Sequence, residues 1–365
     1  MKSNMYFKCR NFTPLKIYNG TPSSEAEGRL NRDLRETLPI NELKGKSPME
    51  ICPILNLHRC IKTINTNTNT NTNNIQVETP IYFLSLIVRF YNDPFIYEFV
   101  EYYLSEGVDM IYIVNDNDTA MNIPEILVNH PKVTIWYSQF DESSRKEYHK
   151  NQMHFFNLLY SKVRFMSTWF LVIDSDEFIN TRRNYEKTIR DELITTFKDV
   201  DCIKVPWIMM ASNGLEYDPP SILQGLPYRW NHDIRHPNPT DNCKSRCWYD
   251  YIHCKCIFKS EKFTSFHNHA PNFETDRLIA VDSIHGNKYD VSYHAYDNLR
   301  ESDISVAFLI CNHYRVISKQ SCIRKVNENK LPGDQADYNS VFIADYPEVR
   351  DEHLKNKSIK RFGLK

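Results

Sequence analysis

An apolar run that ends abruptly in three carboxylates limits the architectures open to this chain. The residues WFLVI, at 169–173, are followed at once by Asp174, Ser175, Asp176 and Glu177. A continuous apolar run rich in aromatic and β-branched side chains is typical of a strand buried on both faces of a sheet. The pattern therefore predicts a central strand whose carboxyl end carries a cluster of negative charge.

Strands and helices are predicted to alternate at short intervals from residue 79 onward. Apolar runs predict further strands at residues 81–90, 110–116 and 132–137. Helices are predicted from Asp93, a candidate N-cap, to Gly107, a candidate stop, and near residues 122–129 and 144–162. This alternation is typical of an α/β fold with a Rossmann-like, mostly parallel sheet and helices on both faces.

In a sheet of this kind, ligands bind at the edge where the parallel strands end. Several predicted strands end in polar side chains that come from distant parts of the sequence. We therefore expect one rim of the sheet to gather Arg89, Asn92, Asp116, Asp174 and Asp176.

The carboxylates of Asp174 and Asp176 would point to the same face if the strand geometry continued through them. Carboxylates that crowd together repel each other, and each favours taking up a proton unless a cation shares the site. Mg²⁺ and Mn²⁺ prefer oxygen ligands and commonly join one or two carboxylates to the phosphates of a substrate. The sequence therefore predicts a metal site that binds a diphosphate.

Two other interpretations of the carboxylates remain open at this level. Asp174 or Asp176 would serve as the N-cap of a helix predicted near Tyr185 to Phe197. Alternatively, the first Asp of D-x-D is the nucleophile in phosphatases of the haloacid-dehalogenase type. That pattern requires Thr or Val where this chain has Phe178, and it usually opens the domain rather than lying in mid-chain.

Composition excludes several classes of partner. The formal net charge is -1 and no long basic run is present, so neither nucleic acid nor an anionic membrane is expected as a partner. No apolar stretch approaches the roughly 20 residues that a membrane helix needs, so no transmembrane segment is expected. The absence of a signal-peptide pattern and the uneven spacing of the cysteines predict a cytoplasmic location, or the host cytoplasm for a viral chain.

The chain is predicted to have four segments. Residues 1–64 form a polar extension, and residues 65–78 form a low-complexity linker that contains NTNTNTNTNN. Such a polar tract buries too little surface to offset its chain entropy. Residues 79–330 are predicted to be the catalytic domain, and residues 331–365 a C-terminal tail.

A cysteine-rich stretch has two possible roles. Cys243, Cys247, His253, Cys254 and Cys256 lie within DNCKSRCWYDYIHCKC. Four of these side chains would suffice for a structural zinc site. Their spacing is not the usual C-x-x-C pair, so free buried thiols are the favoured interpretation.

The stretch WFLVIDSDEFI resembles the W-L-x-F-x-D-x-D-E-F motif of the family 92 glycosyltransferases and their family 2-like relatives. Further stretches agree in order across residues 81–326. KCIFK resembles K-x-I-x-R, and NHYRVISKQSCIRK resembles N-H-Y-x-x-x-S-x-x-x-F-x-x-K. The sequence departs from the family at Asn92–Asp93, where Asn-Glu is usual, and at Tyr103, which stands near a usual His.

The resemblance implies a GT-A nucleotide-diphosphosugar transferase fold and a metal-dependent, inverting transfer of sugar from a nucleotide sugar, with a UDP-sugar favoured. The acceptor would be a glycan or another hydroxyl compound, and the metal Mn²⁺ or Mg²⁺. The implied metal ligands are Asp174, Asp176, His269 and His313. The implied donor-binding residues are Arg89, Asn92, Asp116, Gln152, Lys255 and Asp174. The implied catalytic residues are Glu177 and Asp176.

Other candidates carry no motif of their own. Glu216 and Asp218 are alternatives to Glu177 as the base, and Trp207, Trp230 and Trp248 are candidates for stacking on an acceptor. Two alternative functions remain: a non-catalytic protein that binds glycans or nucleotide sugars on the same fold, and a metal-dependent phosphatase.

Overall fold

Two units are distinguished in the computed structural model. One consists of Met1–Ile96 and Asp109–Leu171, and the other of Tyr97–Val108 and Val172–Lys365. The residues described are 4–8, 15–18, 80–115, 123–137, 148–236, 246–247, 252–267, 269–273, 277–328 and 338–362. The predicted Asn/Thr linker lies outside these residues, as does the predicted extension apart from residues 4–8 and 15–18.

The strands and helices alternate along much of the chain. The strands are β1 Asn4–Lys8, β2 Leu15–Tyr18, β3 Tyr82–Phe90, β4 Met110–Asn115, β5 Val133–Tyr137, β6 Ser167–Ile173, β7 Glu177–Thr181, β8 Cys202–Ala211, β9 Tyr228–Arg229, β10 Arg235–His236, β11 Arg246–Cys247, β12 Ile252–Lys259, β13 Phe263–His267, β14 Ala270–Phe273, β15 Ala280–Asp282, β16 Ala295–Tyr296, β17 Leu309–His313 and β18 Val349–Arg350. The helices are α1 Ile96–Ser105, α2 Glu125–Val128, α3 Tyr148–Val163, α4 Ile189–Thr195, α5 Ile222–Gly225, α6 Glu301–Ile304, α7 Lys319–Asn327, α8 Tyr338–Phe342 and α9 His353–Phe362.

The first unit contains three consecutive parallel strands. Its strand order is β6-β3-β4-β5-β1-β2, and β3, β4 and β5 run parallel to one another. Residues 84–90 of β3 are all buried, as expected for an apolar run with neighbours on both sides. The strands predicted at residues 81–90, 110–116 and 132–137 are confirmed within one residue at each end.

The helix predicted after Asp93 is present, and its two ends have the expected chemistry. The Asp93 carboxylate accepts a hydrogen bond from the Phe95 amide at 2.8 Å, just before α1 begins. After α1 the backbone of Gly107 has φ +93°, a conformation that favours glycine. A Cβ atom at Gly107 would also lie 2.5 Å from the Cβ of Arg190, so a larger residue would not fit at this position.

The second unit is a mixed sheet built around β8. Strand β8 pairs antiparallel with β12 and β9, and parallel with β15 and β17. Strand β17 also pairs antiparallel with β7, which places His313 opposite Glu177, and its parallel pairing with β8 places Cys311 opposite Trp207. The α/β fold class is confirmed, with mixed rather than parallel pairing in this unit. No helix in the described part of the chain is both long and apolar enough to cross a membrane.

Residues 338–362 lie beyond the boundary predicted at residue 330 and are part of the folded second unit. Strand β18 pairs with β9, and the next residue, Asp351, lies between two arginines. Its carboxylate is 2.9 Å from the Arg182 guanidinium and 2.8 Å from that of Arg229, and all three side chains are at most 7% exposed. Arg229 in turn binds Glu301 at 2.7 Å. This ion network connects the residue after β18 to β9 and to the residue that follows β7.

Replacing Asp351 by Asn is expected to lower the free energy of unfolding at pH 7 by about 3–5 kcal/mol, because two buried guanidinium groups lose a charged partner. Burial opposes ionisation of Asp351, but Arg182 and Arg229 hold its pKa well below the ordinary value. The carboxylate therefore stabilises the fold above its unfolded pKa, about 4, and this contribution is lost as the pH falls towards the folded pKa. Urea unfolding at pH 7, 5 and 3.5 should show a gap between parent and variant that narrows at the lowest pH.

Asp199→Asn is the matched control, because the Asp199 side chain is 85% exposed. It is expected to change stability by no more than about 0.5 kcal/mol. A gap between Asp351→Asn and the parent that stayed constant down to pH 3.5 would contradict the assignment of the effect to the ionised carboxylate.

Candidate functional site

The three carboxylates predicted to end the central strand lie in and directly after a tight turn. Strand β6 ends at Ile173 and β7 begins at Glu177, so Asp174, Ser175 and Asp176 form the turn between them. The Glu177 amide donates to the Asp174 carbonyl at 3.1 Å, and the Asp174 amide donates to the Glu177 carboxylate at 3.0 Å. Glu177 therefore closes the turn with its own side chain, and the strand geometry does not continue through the two aspartates.

The three carboxylates differ in their access to solvent. The side chain of Asp174 is 44% exposed, that of Asp176 is 19% exposed, and that of Glu177 is fully buried. One oxygen of Glu177, Oε1, is buried and has no hydrogen-bond partner among the described residues. A ligand can therefore approach the two aspartates, whereas Glu177 lies behind them.

Lys255, on β12, provides a positive charge beside the buried carboxyl group of Glu177. Its ammonium group is 2.7 Å from Asp174 Oδ2 and 3.1 Å from Glu177 Oε2, and its side chain is only 6% exposed. Burial alone would lower the pKa of Lys255, but the two carboxylates raise it above the ordinary value. Lys255, predicted from its motif, therefore joins two of the three carboxylates as a permanent cation.

Asp176 has a separate set of partners. The Lys325 ammonium, from α7, lies 2.8 Å from Asp176 Oδ2, and the same group donates to the Arg315 carbonyl at 3.1 Å. On the other side, His313 Nε2 lies 3.7 Å from Asp176 Oδ1. Lys325 received no role from the sequence. The signal that pointed to it was the final Lys of the stretch that resembles N-H-Y-x-x-x-S-x-x-x-F-x-x-K.

The electrostatics divide the site into charged and neutral groups at neutral pH. Burial opposes ionisation of Asp174 and Asp176. Lys255 nevertheless lowers the pKa of Asp174 to about 2, and Lys325 holds the pKa of Asp176 below its ordinary value. Burial raises the pKa of Glu177 to about 8, and burial lowers the pKa of His313 to about 4. The two aspartates are therefore ionised and His313 is neutral, which is the form that coordinates a metal.

The backbone of β7 is fixed from α1. The Tyr103 hydroxyl donates to the Glu177 carbonyl at 2.9 Å and accepts from the Ile179 amide at 2.9 Å. Phe99 and Tyr103 pack against Phe178, whose ring is fully buried. Tyr103 stands near a position where the family that the sequence resembles usually has His. Its hydroxyl group holds β7, the strand that follows the carboxylate turn.

Aromatic rings extend from His313 along the sheet. The ring of Trp207 lies 4.3 Å from that of His313 and 5.3 Å from that of His269. His269 stacks on His253 at 4.6 Å, and its Nδ1 lies 3.0 Å from the Cys254 carbonyl. His269, predicted as a metal ligand, therefore has one ring nitrogen in contact with the backbone of β12. Its pKa is lowered well below the ordinary value, first by burial and then by Lys255.

The residues at the turn offer one candidate pair of ligands for a divalent metal. Two adjacent ligands of an octahedral Mg²⁺ or Mn²⁺ ion, each about 2.1 Å from it, stand about 3 Å apart. Asp176 Oδ1 and His313 Nε2 are 3.7 Å apart, which is wider than this separation and too far for a hydrogen bond. Among the described residues, no three His, Cys, Asp or Glu side chains are arranged to hold a metal. The pair would therefore have to move closer together to share an ion, which would take its other ligands from phosphate and water.

Several predicted donor-binding residues belong to the first unit or lie outside the described residues. Arg89, at the end of β3, is buried, and its guanidinium lies 5.7 Å from the centre of the Tyr91 ring. Asn92 has φ +49°, in the left-handed region that asparagine tolerates better than most residues. Asp116 follows β4 outside the described residues, and the structure does not describe the side chain of Gln152. Their roles stay predictions.

The structure shows the surroundings of two alternatives that the sequence left open: a helix-cap role for the aspartates, and Asp218 as the base. Thr188 caps α4, so neither Asp174 nor Asp176 is a helix cap, and the helix predicted near 185–197 spans Ile189–Thr195. Asp218 is engaged by Ser318, Ser321 and Arg324.

Other predicted residues have structural surroundings or lie outside the described residues. Glu216 is exposed beside Lys319. Trp230 is fully buried against Tyr346, as expected for packing, and Trp248 lies outside the described residues. Cys254 and Cys256 are buried thiols, and the structure does not describe the side chains of Cys243 and Cys247.

A carboxylate turn at the end of a central strand, in an α/β fold with helices beside a mixed sheet, is compatible with a glycosyltransferase-type fold. The model of glycosyltransferase family 92 matches residues 87–354, well over half of the chain. The chain therefore belongs to glycosyltransferase family 92, and a sugar donor and an acceptor are its partners at this level of description. No curated protein matches the chain.

Proposed function

We propose that this family member transfers a sugar from a nucleotide sugar, with a UDP-sugar as the favoured donor, to a hydroxyl group of a glycan or similar acceptor. The transfer would be metal-dependent and inverting. The observation that carries the proposal is the Asp174–Asp176 turn, which is accessible from solvent, has a lysine on each aspartate, and has a neutral histidine 3.7 Å from Asp176.

The reaction requires charge compensation at the leaving group. A nucleoside diphosphate gains negative charge as the glycosidic bond breaks, and fixed positive groups that meet this charge lower the barrier. Mn²⁺ or Mg²⁺ held by Asp176 and His313 would supply Lewis-acid stabilisation of that diphosphate. Lys255 and Lys325 add positive charge beside the same carboxylates and would favour an anionic leaving group.

Glu177 has a positioning role in this proposal. An inverting transfer needs a base that reaches the acceptor hydroxyl. The Glu177 carboxylate is fully buried, accepts from the Asp174 amide and binds Lys255, so an acceptor has no open approach to it. Its position supports the turn and fixes the ammonium group. Arg89, Asn92, Asp116 and Gln152 remain the proposed donor-binding residues, by resemblance to the family.

The test is a screen of UDP-hexoses for binding and slow hydrolysis. Calorimetry of the full chain with each donor, in Mn²⁺ and again in excess EDTA, should show binding that depends on the metal. Mass spectrometry should then detect released UDP, or a glycosylated product with a hydroxyl acceptor. If no nucleoside diphosphate sugar binds in a metal-dependent way, the proposal is wrong.

The same screen separates the two alternative functions. Metal-dependent binding without hydrolysis or transfer would favour a non-catalytic sugar-nucleotide-binding protein. Release of phosphate from a simple phosphate monoester, with no sugar transfer, would favour a phosphatase.

A further inference from the structure

We infer that a cavity beside the β13–β14 hairpin binds part of a neutral oligosaccharide acceptor, and that a row of aromatic rings leads from this cavity to the carboxylate turn. This inference rests on the proposed function and adds to it the chemical class of the acceptor and the place where it binds. The volume of the cavity is about 420 Å³, within the range of small-molecule sites. Its lining includes His267, Ala270, Asn272, Phe273, Ser292 and His294.

The lining of this cavity has the chemistry that a neutral sugar requires. Imidazole, amide and hydroxyl groups at exposed positions can exchange hydrogen bonds with sugar hydroxyls. Ala270 and the ring of Phe273, a residue that is 36% exposed, offer apolar surface to the C–H groups of a sugar ring. None of the described residues that line the cavity is Asp, Glu, Lys or Arg. A diphosphate would find no counterion there, so the cavity suits an uncharged acceptor rather than the donor.

Both walls of the cavity are attached to β12. Phe266, on the hairpin, is buried, and its ring lies 6.3 Å from that of Phe258 on β12. Between the two strands of the hairpin, His269 Nδ1 lies 3.0 Å from the Cys254 carbonyl, which also belongs to β12. The opposite wall directly precedes β16, which pairs with the same strand. The cavity is therefore built on the strand that also carries Lys255 to the carboxylate turn.

A row of rings joins the cavity to the turn. The ring of His294, which lines the cavity, lies 5.9 Å from that of His253, and the His253 ring lies 4.6 Å from that of His269. Trp207 comes next, with its ring 5.3 Å from that of His269 and 4.3 Å from that of His313. The first ring is exposed, the next three are partly exposed, and the last is buried beside the turn.

The row gives the acceptor its direction and a minimum length. No residue of the carboxylate turn lines the cavity, and three rings lie between His294 and His313. A single sugar ring in the cavity therefore leaves the space beside the turn open, whereas an oligosaccharide can occupy both. Its reacting hydroxyl lies at the buried end of the row, near Asp176. The unit in the cavity supplies binding that is equal in the ground state and the transition state.

Binding of acceptor can be measured without donor or metal. Saturation-transfer difference NMR of the full chain with neutral disaccharides to tetrasaccharides of glucose, galactose, mannose and xylose should show that the parent binds at least one of them. Phe273→Ala and His294→Ala should each weaken that binding by about 3- to 10-fold, because each removes a contact of ordinary strength. In transfer assays with Mn²⁺ and the UDP-sugar, the acceptor KM should rise by the same factor while kcat changes little.

A third variant tests the cavity from the opposite direction. Ser292→Trp places a large ring at an exposed position of the lining, so it fills the cavity while Phe273 and His294 remain, and acceptor binding should be lost. The matched controls are His285→Ala, at a side chain that is 44% exposed, and Tyr97→Ala, at a residue that is 41% exposed. Neither residue lines the cavity, so neither control should change acceptor binding or KM.

Thermal unfolding of each variant would verify that it is folded. Acceptor affinity and KM that stayed at the parent's values in folded Phe273→Ala, His294→Ala and Ser292→Trp would overturn the inference. So would a parent that hydrolyses the UDP-sugar but binds none of the oligosaccharides, and in both cases the proposed function would stand. A parent that binds no nucleotide sugar would overturn the proposed function, and the acceptor role of the cavity with it.

Discussion

Asp176→Asn is expected to reduce the rate of sugar transfer or donor hydrolysis by about 10²- to 10³-fold, as the loss of one strong electrostatic contact to a transition state does in other enzymes. The amide is neutral, so it neither binds a divalent cation well nor holds Lys325 beside the leaving group. Single-turnover assays with the donor identified in the screen, at saturating Mn²⁺, would measure the loss.

The same variant should fold but be modestly less stable than the parent. Burial opposes ionisation of Asp176, but Lys325 holds its pKa below the ordinary value, so the ionised carboxylate stabilises the folded chain at pH 7. Thermal unfolding should therefore show a cooperative transition with a midpoint slightly lower than that of the parent. Asp199→Asn, at a side chain that is 85% exposed, is the control for both quantities. A variant at position 176 that kept full activity would exclude this carboxylate from the reaction.

Lys255→Met is expected to lower the free energy of unfolding at pH 7 by about 3–5 kcal/mol, the usual cost of removing one partner from a buried ion pair. The methionine fits the space of the lysine stem but leaves the ionised Asp174 without its cation and the fully buried Glu177 without the ammonium group that binds it. Urea unfolding followed by circular dichroism would measure the change. Activity should fall with stability, because the Asp174–Asp176 turn loses the group that holds it to β12.

A second substitution would show whether the effect comes from the charge. In Lys255→Met with Glu177→Gln, no buried carboxylate is left unpaired at that position, so part of the lost stability should return, and the two effects should not be additive. Lys262→Met, at an exposed lysine 3.7 Å from the exposed Glu261, should cost no more than about 0.5 kcal/mol. A loss in Lys255→Met as small as that of the control would show that the pair contributes little.

The strand elements were predictable because their signal is local. A continuous apolar run such as that of β3 is typical of a strand that is buried on both faces. The ends predicted for β3 agree with the structure within one residue. Thr188, in contrast, was missed as the cap of α4. It precedes a helix of only seven residues, Ile189–Thr195, for which the expected boundaries near 185–197 were too wide.

The site was predictable only where a motif named the residue. Lys255 was found through the stretch that resembles K-x-I-x-R, and it does contact Asp174. Lys325 was not assigned, although it contacts Asp176, because the two residues are 149 positions apart and no local pattern joins them. His269 and His313 looked equivalent as metal ligands in the sequence. The structure separates them, because only His313 lies beside Asp176 with Nε2 facing a carboxylate oxygen.

The sequence by itself determined that an apolar strand ends in three carboxylates, and with its motifs it determined the family. Only the tertiary structure decided how deeply each carboxylate is buried and which cation it contacts. Burial and counterions set the properties of an acidic group, and both come from strands and helices far along the chain. Strand β12 brings Lys255 between Asp174 and Glu177, which makes Glu177 a buried support, and α7 brings Lys325 to Asp176, which leaves the other oxygen of that aspartate facing His313.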